Sequence, residues 1–230
     1  APSHNYADHM AVYLGIPRQR IHVVYPGLEL EGHGGTKTKP TNVFTIGYMA
    51  RINPDKGLHI LVDAFHDLRQ SGKFSNCRLR VAGYLSRANH PYIKKIQEKI
   101  CEWGLEKDFE YVGSVDRKGK IDFIQGLDVL SVPTTYGAPK GIYMMEAWAN
   151  GLPVVEPRHG SFPEFIKASG GGLLFEPGNA SDLAANLRLL IKNRAYAAEL
   201  GQRGRAAVQK IFSATTMATE TSAVYQRYIS

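Results

Sequence analysis

From Asn42 onward the chain alternates short apolar runs with amphipathic helical stretches, and this period restricts its fold more than any single residue does. Residues 43–49 read as a buried strand, after which Leu58, Leu61, Val62, Phe65 and Leu68 fall on one face of a helix. Residues 79–82 form the next run, followed by a helical stripe at Ile93, Ile96, Ile100 and Trp103. Two further strands, 109–112 and 129–132, flank a helix marked by Ile121, Phe123 and Ile124. Helix is expected again at 141–150, strand at 153–155 and a last short strand at 172–175. Leu183, Leu187 and Leu190 then mark one helix, and Met217, Val224 and Tyr228 a final one. Strands separated by helices pair in parallel, because a parallel neighbour requires a crossover and the crossover packs as a right-handed helix. The expected fold class is α/β, a doubly wound, Rossmann-like parallel sheet.

Before this pattern, residues 1–14 read as helix up to the break at Gly15 to Pro17, and 21–25 is a short apolar run. Residues 29–41 are polar, with three glycines and Pro40, the composition of a linker. Gly47, Gly83, Gly113, Pro133 and Pro157 are expected at or just after the carboxyl ends of strands, where open parallel sheets bind ligands. The charge balance, 28 Lys and Arg against 21 Asp and Glu for a net +7, suits phosphorylated small molecules, anionic lipid or nucleic acid. The basic residues are scattered and carry no interleaved aromatic pattern, which argues against nucleic acid. Cys77 and Cys101 form no CxxC and have no histidines at metal spacing, so two plain thiols in a reducing, cytoplasmic setting are expected. Neither an eighteen-residue apolar run nor a signal-like opening occurs.

Two segments on the expected ligand edge suit a phosphate. In GYMARINPDKG, Arg51 offers a planar fork and Lys56 a mobile point charge ahead of a helix start signalled by Pro54 and Gly57. On the residues alone, a solvated surface pair accounts for Arg51 and Lys56 equally well. In the second segment, Pro139, Lys140 and Gly141 lead into a helix whose first amides, at Gly141, Ile142 and Tyr143, would be unpaired donors for an anion.

These segments resemble the carboxyl-terminal, donor-binding half of a GT-B glycosyltransferase, specifically the retaining enzymes called group 1 or family 4. The resemblance rests on VVYPGLELEG, IGYMARINPDKGLHILVDAF, DVLSVPTTYGAPKGIYMMEAWANGLPVV and HGSFPEFI, and extends over nearly the whole chain. It implies that Arg51 and Lys56 bind the donor diphosphate and carry the catalysis by stabilising charge on the leaving group without a metal. It implies further that Glu146 binds the ribose hydroxyls, that Lys140 and Gly141 with the Ile142 and Tyr143 amides meet the phosphates, and that Gly113 to Val115 frames the nucleobase. No cofactor is implied, and the chain has no Asp-x-Asp pair of the kind that metal-dependent glycosyltransferases use.

The resemblance also implies a division of the chain. Residues 1–41 would be the end of a missing amino-terminal domain and its linker, 42–212 the nucleotide-sugar domain, and 213–230 a helix that packs back on the missing domain. The acceptor is unknown, and a peripheral membrane contact of the full-length protein stays open. An apolar surface is expected where the missing domain would sit.

One departure stands out: the family's acidic motif places a Glu eight residues before the second one, and here Ala138 occupies that position. A methyl group accepts no hydrogen bond, so nucleotide binding is expected to survive while sugar positioning weakens by about 1 to 3 kcal/mol. A noncatalytic nucleotide-binding module and a nucleotide-sugar epimerase are therefore kept as alternatives. Among the remaining residues, His159 reads equally as a donor contact or a structural loop histidine, and Glu164 as loop support before ligand contact. Tyr143, Met144 and Met145 read as core, and Glu156 with Arg158 as a surface pair.

Overall fold

The computed structural model describes residues 1–35, 42–70 and 72–229. The part of the expected linker at 36–41 lies outside these residues. Among the described residues six strands form one sheet: β1 (Phe44–Met49), β2 (Cys77–Ala82), β3 (Phe109–Tyr111), β4 (Val129–Leu130), β5 (Val154–Pro157) and β6 (Gly172–Phe175). Their order is β3-β2-β1-β4-β5-β6 and all five pairings are parallel, as the strand and helix alternation predicts. The direction of winding reverses between β1 and β4, so the crevice beyond their carboxyl ends is where a ligand site belongs. Strand boundaries differ from the sequence reading by one or two residues, the ordinary scatter of element ends.

Nine α-helices are described: α1 (His4–Leu14), α2 (Leu58–Gln70), α3 (His90–Glu102), α4 (Arg117–Gln125), α5 (Ile142–Ala149), α6 (Phe162–Ser169), α7 (Ala180–Lys192), α8 (Arg194–Lys210) and α9 (Ala214–Ile229). Two apolar clusters fill the spaces between sheet and helices. One gathers Ile46, Tyr48, Leu79 and Val81 with Leu61 and Phe65 of α2, Ile96 of α3 and Leu187 of α7. The other joins Met49, Leu130 and Val154 to Phe123 of α4, Met145 and Trp148 of α5, Phe165 of α6 and Val208 of α8. β1 is buried along its whole length because it has neighbours on both edges and helices on both faces, which explains its unbroken apolar run.

Three expectations are corrected. Gly47 lies inside β1 rather than at its end, and a Cβ there would stand 2.1 Å from Leu127 Cδ1. Its role is room for a neighbouring side chain. The described part of the expected 29–41 linker, residues 29–35, is docked rather than detached: just before it the Leu28 amide donates to the Phe212 carbonyl at 2.8 Å, and within it the Gly34 amide donates to Asn150 Oδ1 at 3.2 Å. Glu156 and Arg158 form no surface pair: Glu156 is fully buried, and Arg158 pairs with Glu176 at 3.0 Å.

α1 is tied to the domain by polar contacts at its start. Ser3 caps it by accepting from the Tyr6 amide, and the Ser3 hydroxyl meets that of Ser161 at 2.6 Å in a buried position. The Glu164 carboxylate accepts from the His4 and Asn5 amides at 2.8 and 3.0 Å. That occupies Glu164 with the orphan donors and positive end of α1, a helix-capping support more specific than a loop contact. At the other end of the chain α9 has no buried residue, and His22 meets its Tyr228 hydroxyl at 2.7 Å. No described helix is long and apolar enough to cross a membrane.

Candidate donor site at the carboxyl edge of the sheet

The segment after β1 folds tightly. Asn53 caps a short 3-10 turn, Pro54–Lys56, by accepting from the Lys56 amide at 3.1 Å, and the buried Tyr48 hydroxyl donates to the Arg51 carbonyl at 3.2 Å. Gly57 ends the turn with φ +71°, where an added Cβ would stand 1.7 Å from the Pro133 carbonyl oxygen. Glycine is required there because the segments following β1 and β4 touch backbone to backbone. The Thr135 amide donates to the Asp55 carbonyl at 3.0 Å and joins them further.

This contact builds a cleft of about 420 Å³ lined by Arg51, Asn53, Asp55, Lys56 and Tyr136. The two cations expected from sequence therefore share one opening. Arg51 is exposed, while Lys56 donates to the Tyr136 hydroxyl at 2.5 Å and stands 4.8 Å from the centre of its ring. Tyr136 was not singled out in the sequence because it forms no charged motif. Its backbone is set by Thr134, whose hydroxyl donates to the Tyr136 carbonyl at 3.0 Å and lies 3.3 Å from His159 Nε2. Burial lowers the pKa of His159, and its ring serves this loop contact.

Gly141 caps α5 with φ +66° and no side-chain cap. The Met144 amide closes onto the Gly141 carbonyl at 2.9 Å, and Ile142 and Tyr143 hold the first-turn positions where amides have no intrahelical acceptor. Lys140, immediately before, is exposed.

A fully buried carboxyl ties this helix to the Lys56 cleft. Glu156, in β5, accepts from the Tyr143 hydroxyl at 2.8 Å and from the Val132 amide at 3.3 Å. Burial pushes the Glu156 carboxyl well above the usual carboxylate range; the Tyr143 hydroxyl, the Val132 amide and the charge of Lys56 oppose that rise without cancelling it. Burial likewise raises Tyr143, with Glu156 adding to the shift.

Glu146 lies about one turn further along α5 and is 8% exposed. Lys120, from the first part of α4, donates to its Oε1 at 2.7 Å. The sequence reading passed over Lys120 because it sits among scattered charges and meets Glu146 only across 26 positions. Asn150 donates to the Glu146 carbonyl at 2.9 Å and lies 2.9 Å from His33 Nδ1. Burial lowers the pKa of His33, Glu146 opposes that, and Arg117 and Lys120 reinforce it.

Gly113 stands at the same edge, its carbonyl accepting from the Gly83 amide at 2.8 Å, and Val115 packs on the apolar cluster that holds Met49 and Met145. Of the site residues named from sequence, Arg51 and Lys56 share the open cleft, Glu146 is paired with Lys120 of α4, Val115 directly precedes the Asp116 cap of that helix, and Lys140 to Tyr143 form the head of α5. Ala138 is 5% exposed and belongs to an apolar cluster with Met144 and Phe162, and its carbonyl accepts from the Ser161 amide at 3.1 Å.

Against known proteins, the family model described as Glycosyl transferases group 1 matches residues 35–207. The amylovoran biosynthesis glycosyltransferase of Erwinia amylovora is 26% identical over 215 residues, covering 90% of this chain and 50% of the relative. The mannosylfructose-phosphate synthase of Agrobacterium fabrum is 22% identical over 222 residues, covering 92% and 49%. The chain spans about half the length of these curated relatives. Among solved structures, the Anabaena protein HepE in complex with UDP superposes with a TM-score of 0.88 at 22% identity, covering 99% of this chain and 63% of that one. The carboxyl-terminal domain of a group 1 glycosyl transferase from Francisella tularensis matches with a TM-score of 0.73 at 21% identity, covering 82% of this chain and all of that domain (100%). The fold is accordingly that of one Rossmann-like half of a GT-B glycosyltransferase.

Proposed function

This chain belongs to the group 1 glycosyl transferases, and from that premise we propose that it is the donor-binding half of an enzyme that moves a sugar from a nucleoside diphosphate sugar to an acceptor, with retention and without a metal. The observation that carries the reading is the meeting of Arg51 and Lys56 in one cleft beyond β1, at the point where the winding of the sheet reverses. A departing diphosphate gains negative charge as the bond to the sugar breaks. The Arg51 guanidinium, a lysine held against Tyr136 and the first amides of α5 would stabilise that charge together. Glu146 would hold the nucleoside, and a second domain would bring the acceptor. Relatives bearing glycosyltransferase names and a structural neighbour crystallised with UDP support the same substrate class.

Titration calorimetry of the 230-residue chain with nucleoside diphosphates tests this reading, and failure of all of them to bind at millimolar concentration overturns it. A second reading, a nucleotide-binding module without turnover, is favoured by Ala138 alone, whose methyl group is buried where the family's first motif Glu would stand. Ala138→Glu separates the two. Tighter binding of a sugar nucleotide, with the parent diphosphate unchanged, would mark a sugar site short of one contact; no gain for any sugar nucleotide supports the module.

A further inference from the structure

A carboxyl group without surface exposure ordinarily has a cation in contact with it, and Glu156 has a phenol and an amide instead. Its Oε2 meets the Tyr143 hydroxyl at 2.8 Å and its Oε1 the Val132 amide at 3.3 Å, while Lys56 acts on it through space. Lys56 itself donates to the Tyr136 hydroxyl at the opening of the cleft. The other groups around the carboxyl are apolar or phenolic. Leu174 lies beside Glu156 across the β5 and β6 pairing, Phe162 of α6 packs against the Tyr143 ring at 6.3 Å, and Tyr48 of β1 and Tyr136 act on Tyr143. Among the described residues, Lys56 is thus the charged group that acts on Glu156. The 2.8 Å contact suits both protonation states, since the phenol can donate to a carboxylate or the acid to the phenolic oxygen. A proton can therefore be gained or lost at Glu156 with α5 held in place.

Lys56 is also one of the two cations assigned above to the diphosphate. In the free cleft its charge favours the ionised form of Glu156, against burial, which favours the acid. A bound diphosphate cancels the charge of Lys56 and adds negative charge of its own, so both influences then favour the acid. Resting on the donor-binding reading above, we propose that Glu156 makes diphosphate binding proton-linked: as the ligand neutralises Lys56, the carboxylate takes up one proton from solvent and becomes the acid, and it releases that proton when the ligand leaves. Between the pH at which Glu156 ionises in the free chain and the higher pH at which it ionises in the complex, affinity falls as pH rises. A carboxyl that only holds α5 against β5 would keep the same proton occupancy with and without ligand.

The experiment is titration calorimetry of the 230-residue chain with whichever of ADP, CDP, GDP and UDP binds most tightly, from about pH 6 to about pH 9, each time in two buffers of different ionisation enthalpy so that exchanged protons are counted. The unchanged chain should take up more protons than Glu156→Gln, by up to about one per nucleotide bound, and its affinity relative to that variant should fall by up to about tenfold per pH unit through the same window. Titration of the nucleotide phosphates is common to both chains and cancels in the comparison. Should Glu156→Gln not fold by circular dichroism, the infrared band of the protonated carboxyl is followed against pH in the unchanged chain, and nucleotide should shift its loss to higher pH. Equal proton counts in the two chains overturn the proposal, and so does a band lost at the same pH with and without ligand. A band that persists to about pH 9 in the free chain overturns it as well, because Glu156 would then have no proton to gain. If no nucleotide binds at any pH, the donor-binding reading itself falls, a result distinct from equal proton counts.

Discussion

The surroundings of Lys56 and of Glu146 follow opposite rules. Around Lys56 the cleft is open, Arg51 is exposed, and the lysine rests against a tyrosine that is itself 41% exposed. Around Glu146 the charge is nearly buried and already paired. The difference matches what each half is proposed to hold. A diphosphate can be caught by net charge from several directions, so mobile cations suffice and a wide mouth does no harm. A ribose is neutral, and discriminating it requires fixed donors and acceptors away from competing water. Glu156 joins the two halves. It receives the Tyr143 hydroxyl from the helix that carries Glu146, and it lies within the field of Lys56.

The largest effect is expected on the open side. Replacing Arg51 and Lys56 together by Ala removes two charge-assisted contacts, each about 1.5 to 3 kcal/mol, so nucleoside diphosphate affinity should fall by about a hundredfold or more. Calorimetry at fixed salt checks this, and a loss below about tenfold would break the assignment of the cleft to the diphosphate.

At the junction, Glu156→Leu strands the Tyr143 hydroxyl and the Val132 amide, and chemical denaturation should show a stability loss of about 2 to 4 kcal/mol. Glu156→Gln keeps an acceptor and removes the titration. The sign follows from the raised folded value. The wild-type contribution is fully present below the ordinary carboxyl value of 4.5 and is lost as pH rises through the folded pKa. Wild-type stability should therefore decline relative to Glu156→Gln across that window, by up to about 1.4 kcal/mol per pH unit. Parallel stability curves for the two would show that Glu156 is charged in the folded state.

The smallest effect belongs to the closed side. Glu146→Ala removes one hydroxyl acceptor and frees Lys120 to approach the phosphates, so diphosphate affinity should drop by only about tenfold, while inorganic pyrophosphate, which lacks a ribose, should bind no more weakly. A parallel loss for pyrophosphate would place Glu146 on the phosphate side and erase the contrast.

The order of strands and helices could be read from the sequence because each apolar period reports on its own element: β1 is buried on both faces and so reads as an unbroken run. Arg51, Lys56 and the Gly141 cap could also be read, as each belongs to a short motif at a strand end or helix start. Lys120 and Glu156 could not. Their partners stand 26 and 13 positions away, and nothing local distinguishes a lysine bound to a carboxylate from one in solvent. The pairing of Glu156 with Arg158 failed for the same reason: adjacency along an extended strand does not fix whether a side chain enters the core. Residues 29–35 were misread because a polar, glycine-rich composition signals irregular backbone, not detachment, and these residues dock through backbone groups.

By itself, then, the sequence determined the doubly wound class and singled out the two segments proposed to meet the phosphates, since both follow from patterns spanning a few residues. It also determined that position 138 carries a methyl group in place of a carboxylate. Only the tertiary structure decided that Arg51 and Lys56 share one cleft, that Glu146 is paired with Lys120, and that a buried Glu156 links Tyr143 of α5 to the segment following β4. The physical reason is that burial and charge pairing depend on which distant segments a fold brings within about 3 Å, and hydrogen bonds of that length leave no trace in the local pattern of the chain.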